Sequence, residues 1–146
     1  MNDQWFVELN DDEQSTSSFD KINNIAKRAE EMVSGRLWVG KDGGPRPWWH
    51  RLLGLQNRYV DSLFALEWHE QIASLIFHDE NWSEYRAIDK ERPVNADEAL
   101  RKKIAHGEVR PHPIEECMSK ERAFSAANEY LKNSNRPKWL EYHFVE

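Results

Sequence analysis

The stretch DSLFALEWHEQIASLIFHDENWSEYRAID, residues 61–89, decides the fold. It contains no Pro and no Gly, and its apolar residues alternate: Phe64, Leu66, Trp68, then Ala73, Leu75, Phe77, then Tyr85 and Ala87. A repeat of two places one set of side chains on one side of a pleated strand, whereas a helix needs spacings of three and four. Polar breaks fall at His69-Glu70 and at Asp79-Glu80-Asn81. The pattern predicts three strands in an antiparallel meander, with one face on the core and one facing water.

Outward from the meander the period changes. Phe19, Ile22, Ile25, Ala29, Met32 and Val33 recur at three- and four-residue spacing and predict a helix. Ser18 is placed to cap it, Asp20 suits its amino-terminal dipole, and Gly35 is placed to end it. A second helix follows Ser119, with Ala123, Phe124, Ala127, Tyr130 and Leu131 as its buried stripe and Asn133-Ser134-Asn135 as its stop. Gln4 to Leu9 reads as a first strand and Trp139 to Val145 as a closing one. Asn10 to Ser17 reads as a loop, Ala96 to His106 as a weakly amphipathic helix, and Ile114 to Met118 as a short edge strand. The sum is an α+β fold in which an antiparallel sheet, meander plus terminal strands, packs on two main helices. One domain is expected over residues 1–146, since no repeat or composition break divides the chain.

Residues 36–58 stand apart. Gly40, Gly43, Gly44, Pro45 and Pro47 argue against regular structure over most of the stretch, apart from a possible short helix from about Pro47 to Leu53. The same stretch holds Trp38, Trp48, Trp49, Leu52, Leu53 and Leu55 between Arg46, His50, Arg51 and Arg58. Such a segment either folds over the core or waits for a partner.

Charge narrows the partner class. The chain carries a net charge of −6, distributed as −5 over residues 1–35, +4 over 36–58, −7 over 59–99 and +2 over 100–146. An acidic majority argues against nucleic acid, which needs clustered Lys and Arg to displace counterions. It suits a basic protein partner, or simply a solvated acidic surface. No apolar run is long enough to span a bilayer. The opening Met1-Asn2-Asp3-Gln4-Trp5 lacks the basic stretch and apolar core of a secretory signal, and a single cysteine, Cys117, cannot form an internal disulfide. A cytoplasmic protein is expected.

Catalytic motifs are not found. There is no phosphate-cradling glycine loop, nucleophile elbow or Cys-x-x-Cys pair. His78-Asp79-Glu80 matches half of a zinc-deaminase signature, but the second half needs two further cysteines, and His78 and Glu80 read as a strand end and turn. The six histidines, at 50, 69, 78, 106, 112 and 143, form no helical i, i+4 ligand pair. Cys117 reads as a buried strand cysteine. No catalytic, cofactor-binding or metal-binding residues are assigned.

The carboxy-terminal third carries a resemblance. Met118-Ser119-Lys120-Glu121-Arg122 opens a helix, Ala126-Ala127-Asn128-Glu129-Tyr130-Leu131 closes it, and Asn135-Arg136-Pro137 leads into Trp139-Leu140-Glu141-Tyr142. This resembles the closing signature of family-one immunity proteins of bacterial polymorphic toxin systems, a family that includes the immunity protein of a double-stranded-DNA cytosine deaminase toxin. Gly107-Glu108-Val109 and Cys117 before the helix look like that member. The sequence departs from the family at Glu141-Tyr142-His143, where a Trp-centred strand is usual, and before Arg136, where Gly is commoner. Residues 36–58 look like a family-variable insertion. The resemblance implies an α+β protein that binds and neutralises a cognate toxin by occlusion, with deaminase toxins the leading class. A non-catalytic adaptor or chaperone-like module of a secretion locus is the alternative reading.

Tight interfaces concentrate their energy in a few desolvated aromatic and Arg anchors. Two patches fit that description. One is the acidic turn with Asp79, Glu80, Trp82 and Glu84; the other is the basic aromatic stretch with Trp48, Trp49, His50 and Arg51. Each has a purely structural alternative: Trp82 as a cap on the sheet edge, and the tryptophan pair as a lid on the core.

Overall fold

The computed structural model describes residues 4–45, 48–54 and 58–146, and leaves the side chains of 43–45, 50, 51 and 58–60 undescribed. The elements, in chain order, are β1 (Trp5–Leu9), β2 (Asp12–Thr16), α1 (Phe19–Glu30), β3 (Ser34–Pro45), α2 (Trp49–Leu52), β4 (Arg58–His69), β5 (Ile72–His78), β6 (Glu84–Ile88), α3 (Glu98–Lys103), β7 (Met118–Ser119), α4 (Lys120–Asn133) and β8 (Glu141–Val145). A 3-10 turn at Ile114–Glu116 precedes β7. The fold is α+β: a sheet of eight strands in the order β2-β1-β3-β4-β5-β6-β8, with β7 paired to β5. Every pairing is antiparallel.

The meander forms as its alternation predicts. Phe64 faces Phe77, Leu66 faces Leu75 and Trp68 faces Ala73 across the β4–β5 pair, all on one side of the sheet. α1 and α4 lie on that side and touch each other. Ser18 Oγ accepts the Lys21 N–H at the start of α1, and Ser119 Oγ accepts the Arg122 N–H at the start of α4. The core between the layers is aromatic: Trp68 meets Phe124 edge-on at 5.0 Å, and Phe77 meets Tyr130 at 5.0 Å and Tyr142 at 5.9 Å. The Met32 carbonyl accepts from Trp68 Nε1 at 3.0 Å and Lys120 Nζ at 2.8 Å, which ties the end of α1 to β4 and α4.

Several expectations are corrected. Residues 10–17 are not a loop, because Asn10 and Asp11, both at positive φ, make a two-residue hairpin turn that folds Asp12–Thr16 back onto β1. The segment after residue 36 is not irregular, since β3 runs through Gly40, Gly43 and Gly44 as an internal strand between β1 and β4. Register shifts at Val39/Gly40 and Asp42/Gly44 absorb the glycines as bulges. Gly35 does not end α1, which stops at a Glu31 cap; it lies in β3, where a Cβ would sit 2.7 Å from the Trp68 indole. Met32 and Val33 lie beyond the helix end, and Val33 is exposed. Ile114–Glu116 coils into the 3-10 turn, leaving two residues of strand, with Cys117 buried between them. α3 is shorter than its propensity suggests, and Ile104 caps it while filling a buried site.

The face of the sheet expected to meet water is covered over part of its area. α3 and the chain after it cross over β4, β5 and β6, burying Ile104, Ala105 and His112. Ser74 and Ile76 on the outer face of β5 are therefore buried too. Beneath this cover lies a polar layer. Glu67 takes Arg36 Nε at 2.8 Å and the His106 N–H at 2.9 Å. Ser74 Oγ donates to the Ile104 carbonyl at 2.5 Å, so it accepts from His106 Nε2 at 2.6 Å. Arg86 sits between Glu84, at 2.9 Å, and Glu108, at 3.2 Å.

Candidate protein interface

Strand directions bring the two sequence-selected patches to one end of the sheet. β4 pairs Phe64 with Phe77, so the β5–β6 turn, residues 79–83, flanks the amino-terminal half of β4. β4 continues back to Arg58, opposite Pro45, so the paired ends of β3 and β4 extend beyond that turn, and α2 lies in the chain that connects them.

The β5–β6 turn is built by Asp79. Its Oδ1 accepts the Asn81 N–H at 2.9 Å and the Ser83 N–H at 3.0 Å, and its backbone N–H donates to the Ser83 carbonyl at 3.2 Å. These bonds hold Trp82 at φ 63 with 56% of its surface exposed. A left-handed backbone is costly for a bulky side chain and persists only where its surroundings impose it. Trp82 therefore projects outward and does not cap the sheet edge; its ring lies 5.9 Å from His78. Glu80 is exposed. Glu84 is half-buried, with its carboxylate spent on Arg86.

His78 closes β5 with a polar chain behind it. The Trp38 indole N–H donates to Ser62 Oγ at 2.8 Å, leaving the Ser62 hydroxyl proton for His78 Nδ1 at 2.9 Å. The bulge opposite Val39/Gly40 breaks the alternation of β4 and turns Ser62 toward Trp38 and His78. Burial, opposed by Glu84 and Asp79, lowers the His78 pKa, so the ring is neutral at pH 7.

The second patch is the tip of the β3–β4 hairpin. Trp48 is 74% exposed, Trp49 48%, Leu52 76% and Leu53 67%. Trp49 and Leu52 open and close the single turn of α2, and Trp48 and Leu53 flank it, so four exposed apolar residues fall within six positions. Trp48, with about three quarters of its surface exposed, is thus no lid on the core. His50 and Arg51 belong to α2, but their side chains lie outside the described residues.

The sequence reading passed over two features. Leu52 and Leu53 stand in the aromatic stretch but not among the interface candidates, although they are about as exposed as Trp48. The polar layer under α3 was also missed: His106, His112 and Glu116 are distant in sequence, and only the unbroken apolar run Leu75-Ile76-Phe77 hinted that β5 is covered on both faces. In that layer Glu116, 1% exposed, holds His143 Nδ1 at 2.7 Å. Among the described residues no cluster of three His, Cys, Asp or Glu side chains is arranged to hold a metal. Cys117 is buried, which raises its thiol pKa to about 11 and disfavours the reactive thiolate. No described helix is long and apolar enough to cross a membrane. Comparison with family models, with curated proteins and with solved structures finds no match to this chain.

Proposed function

We propose that this chain is an immunity protein, a stoichiometric inhibitor that grips a cognate bacterial toxin with the end of the sheet formed by α2 and the β5–β6 turn. The observation that carries the reading is the exposure of Trp48, Trp49, Leu52 and Leu53 in the chain that connects the paired ends of β3 and β4. A soluble monomer rarely leaves so many neighbouring apolar side chains in water without a partner for them. Tryptophan is also the residue type most enriched where binding energy concentrates. Trp82, held outward at a strained backbone position, supplies a third aromatic anchor on the same end. Asp79 and Glu80 beside it set charge preference for a basic surface, as on a toxin that handles nucleic acid.

The proposed mechanism is occlusion. The protein performs no reaction; it binds in the cytoplasm and covers the toxin's working surface. Glu67 and Ser74 on the outer sheet face are engaged with His106 and with backbone of the chain that covers them, so they are not offered to a partner. Co-expression with whatever gene lies adjacent to its own tests this reading, the expectation being that this gene encodes the toxin. Growth should be rescued and the two proteins should co-purify in equal amounts. Unrescued growth with a folded, expressed chain contradicts it.

A further inference from the structure

Two side-chain atoms among the described residues are sealed from solvent and take no hydrogen bond from the protein: Glu116 Oε2 and His112 Nε2. Both belong to the polar layer under the chain that follows α3, and their residues are 1% and 3% exposed. A buried polar atom left unbonded is costly, and in folded proteins such atoms are nearly always met by protein or by ordered water. Glu116 Oε1 takes His143 Nδ1 at 2.7 Å, while Oε2 stands 4.0 Å from Arg86 Nη1, too far for a direct hydrogen bond. The other arms of that guanidinium are spent, Nε on Glu84 at 2.9 Å and Nη2 on Glu108 at 3.2 Å. Arg86 also acts on His112: burial first, then the Arg86 charge, lowers the ring's pKa to about 4, so it is neutral at pH 7. The Glu116 backbone bonds the ring in the sense that favours its protonation, as a carbonyl accepting from a ring N–H does, and the nitrogen involved is not Nε2. Nε2 is therefore the acceptor of the neutral ring.

We propose that this layer binds one internal water molecule, which accepts from Arg86 Nη1 and donates to Glu116 Oε2 and His112 Nε2. One donor and two acceptors are what the lone pairs and two protons of a water complement. A water oxygen about 2.8 Å from each of Arg86 Nη1 and Glu116 Oε2 spans their 4.0 Å gap. Other occupants fit less well. The guanidinium repels a metal cation, and among the described residues no three His, Cys, Asp or Glu side chains are arranged to hold one. An anion meets Glu116 and has no proton to offer either acceptor. The water ties His112 and the 3-10 turn to β6, and Glu116 carries the connection on to His143 in β8. The site stands independently of the inhibitor reading.

A high-resolution crystal structure of the full chain tests the proposal. A water oxygen should lie about 2.7–3.2 Å from Arg86 Nη1, Glu116 Oε2 and His112 Nε2. Direct bonding of Arg86 to Glu116 Oε2, with His112 Nε2 met by a protein donor, overturns it, as does a metal or halide ion in the same place. Oxygen-17 relaxation dispersion, which counts waters held inside a protein, carries the test into solution. The wild type should hold one more long-lived water than His112→Phe, whose ring lacks the acceptor, with circular dichroism unchanged. Equal counts from the two folded proteins contradict the site. Where His112→Phe does not fold, the wild-type density decides alone.

Discussion

Individual charged and polar residues set how this molecule responds to acid. Burial holds the His106 pKa down to about 3, helped by the neighbouring His112, and burial beside Arg86 lowers that of His112 to about 4. Both rings are free to take up protons near pH 6.5 once unfolded. Between pH 6.5 and about 4 the unfolded chain therefore binds more protons than the folded one, and stability falls as the pH is lowered. The uptake approaches about two protons near pH 5, a slope of about 2–3 kcal/mol per pH unit. Urea melts from pH 7 to 5 should show it, and His106→Gln should flatten it; a pH-independent midpoint contradicts the burial of these rings. Asp89 adds to the same trend at lower pH. Despite its own burial, the Arg122 guanidinium holds its carboxyl below the usual range, through bonds of 2.7 and 2.9 Å. That contribution is complete above pH 3.8 and disappears as the pH falls through the lowered pKa. The pair locks the end of β6 to the start of α4, and Arg122 also stacks on Trp139 at 4.3 Å. Asp89→Ala should cost about 2–4 kcal/mol in urea denaturation, because the guanidinium then has the exposed Glu91 as its carboxylate partner in place of a buried one. A loss below about 0.5 kcal/mol would show that the pair carries no structural weight.

At the scale of elements, the β1–β2 hairpin and β3 are joined around one glycine. Asn10 Oδ1 accepts the Arg36 N–H at 2.8 Å, the Asn10 N–H donates to the Arg36 carbonyl at 3.0 Å, and the Trp68 ring lies against Gly35. Gly35→Ala would force Cβ to 2.7 Å from the indole and 2.9 Å from Asn10 Oδ1, so it should cost about 1–3 kcal/mol. An unchanged melting midpoint would mean that the indole has room to move. The same elements show what was legible in the sequence. β4, β5 and β6 were readable because one side of each is buried, which imprints alternation, and α1 and α4 because each buries a single stripe and starts at a capping serine. β2 was not, because an edge strand facing water keeps polar residues that read as a loop. β3 was not, because its glycines are accommodated by bulges that only the neighbouring strand reveals. Of the candidate interface, Trp48, Trp49, Asp79, Glu80 and Trp82 were visible as residue types. That they share one end of the sheet follows from strand direction alone. The engagement of Glu84 by Arg86 was invisible, since both side chains turn toward a layer covered by residues far along the chain.

For the whole molecule, the division of labour is between a closed face and an open end. One face of the sheet is sealed by α1 and α4, and the other is partly sealed by α3 and the chain after it, over bonds that Glu67, Ser74 and His106 make inward. At the hairpin end Trp48 and Leu52 are 74% and 76% exposed. Changing those two should leave folding intact, since neither packs in the core, and should remove binding energy worth about 2 kcal/mol or more each. The most direct test is titration calorimetry of the proposed partner, a toxin purified in catalytically disabled form, against wild-type chain and the Trp48→Ala/Leu52→Ala double variant. The account predicts one-to-one binding by the wild type and an affinity about a hundredfold or more weaker for a fully folded double variant. Equal affinities for the two would place the grip elsewhere and contradict it.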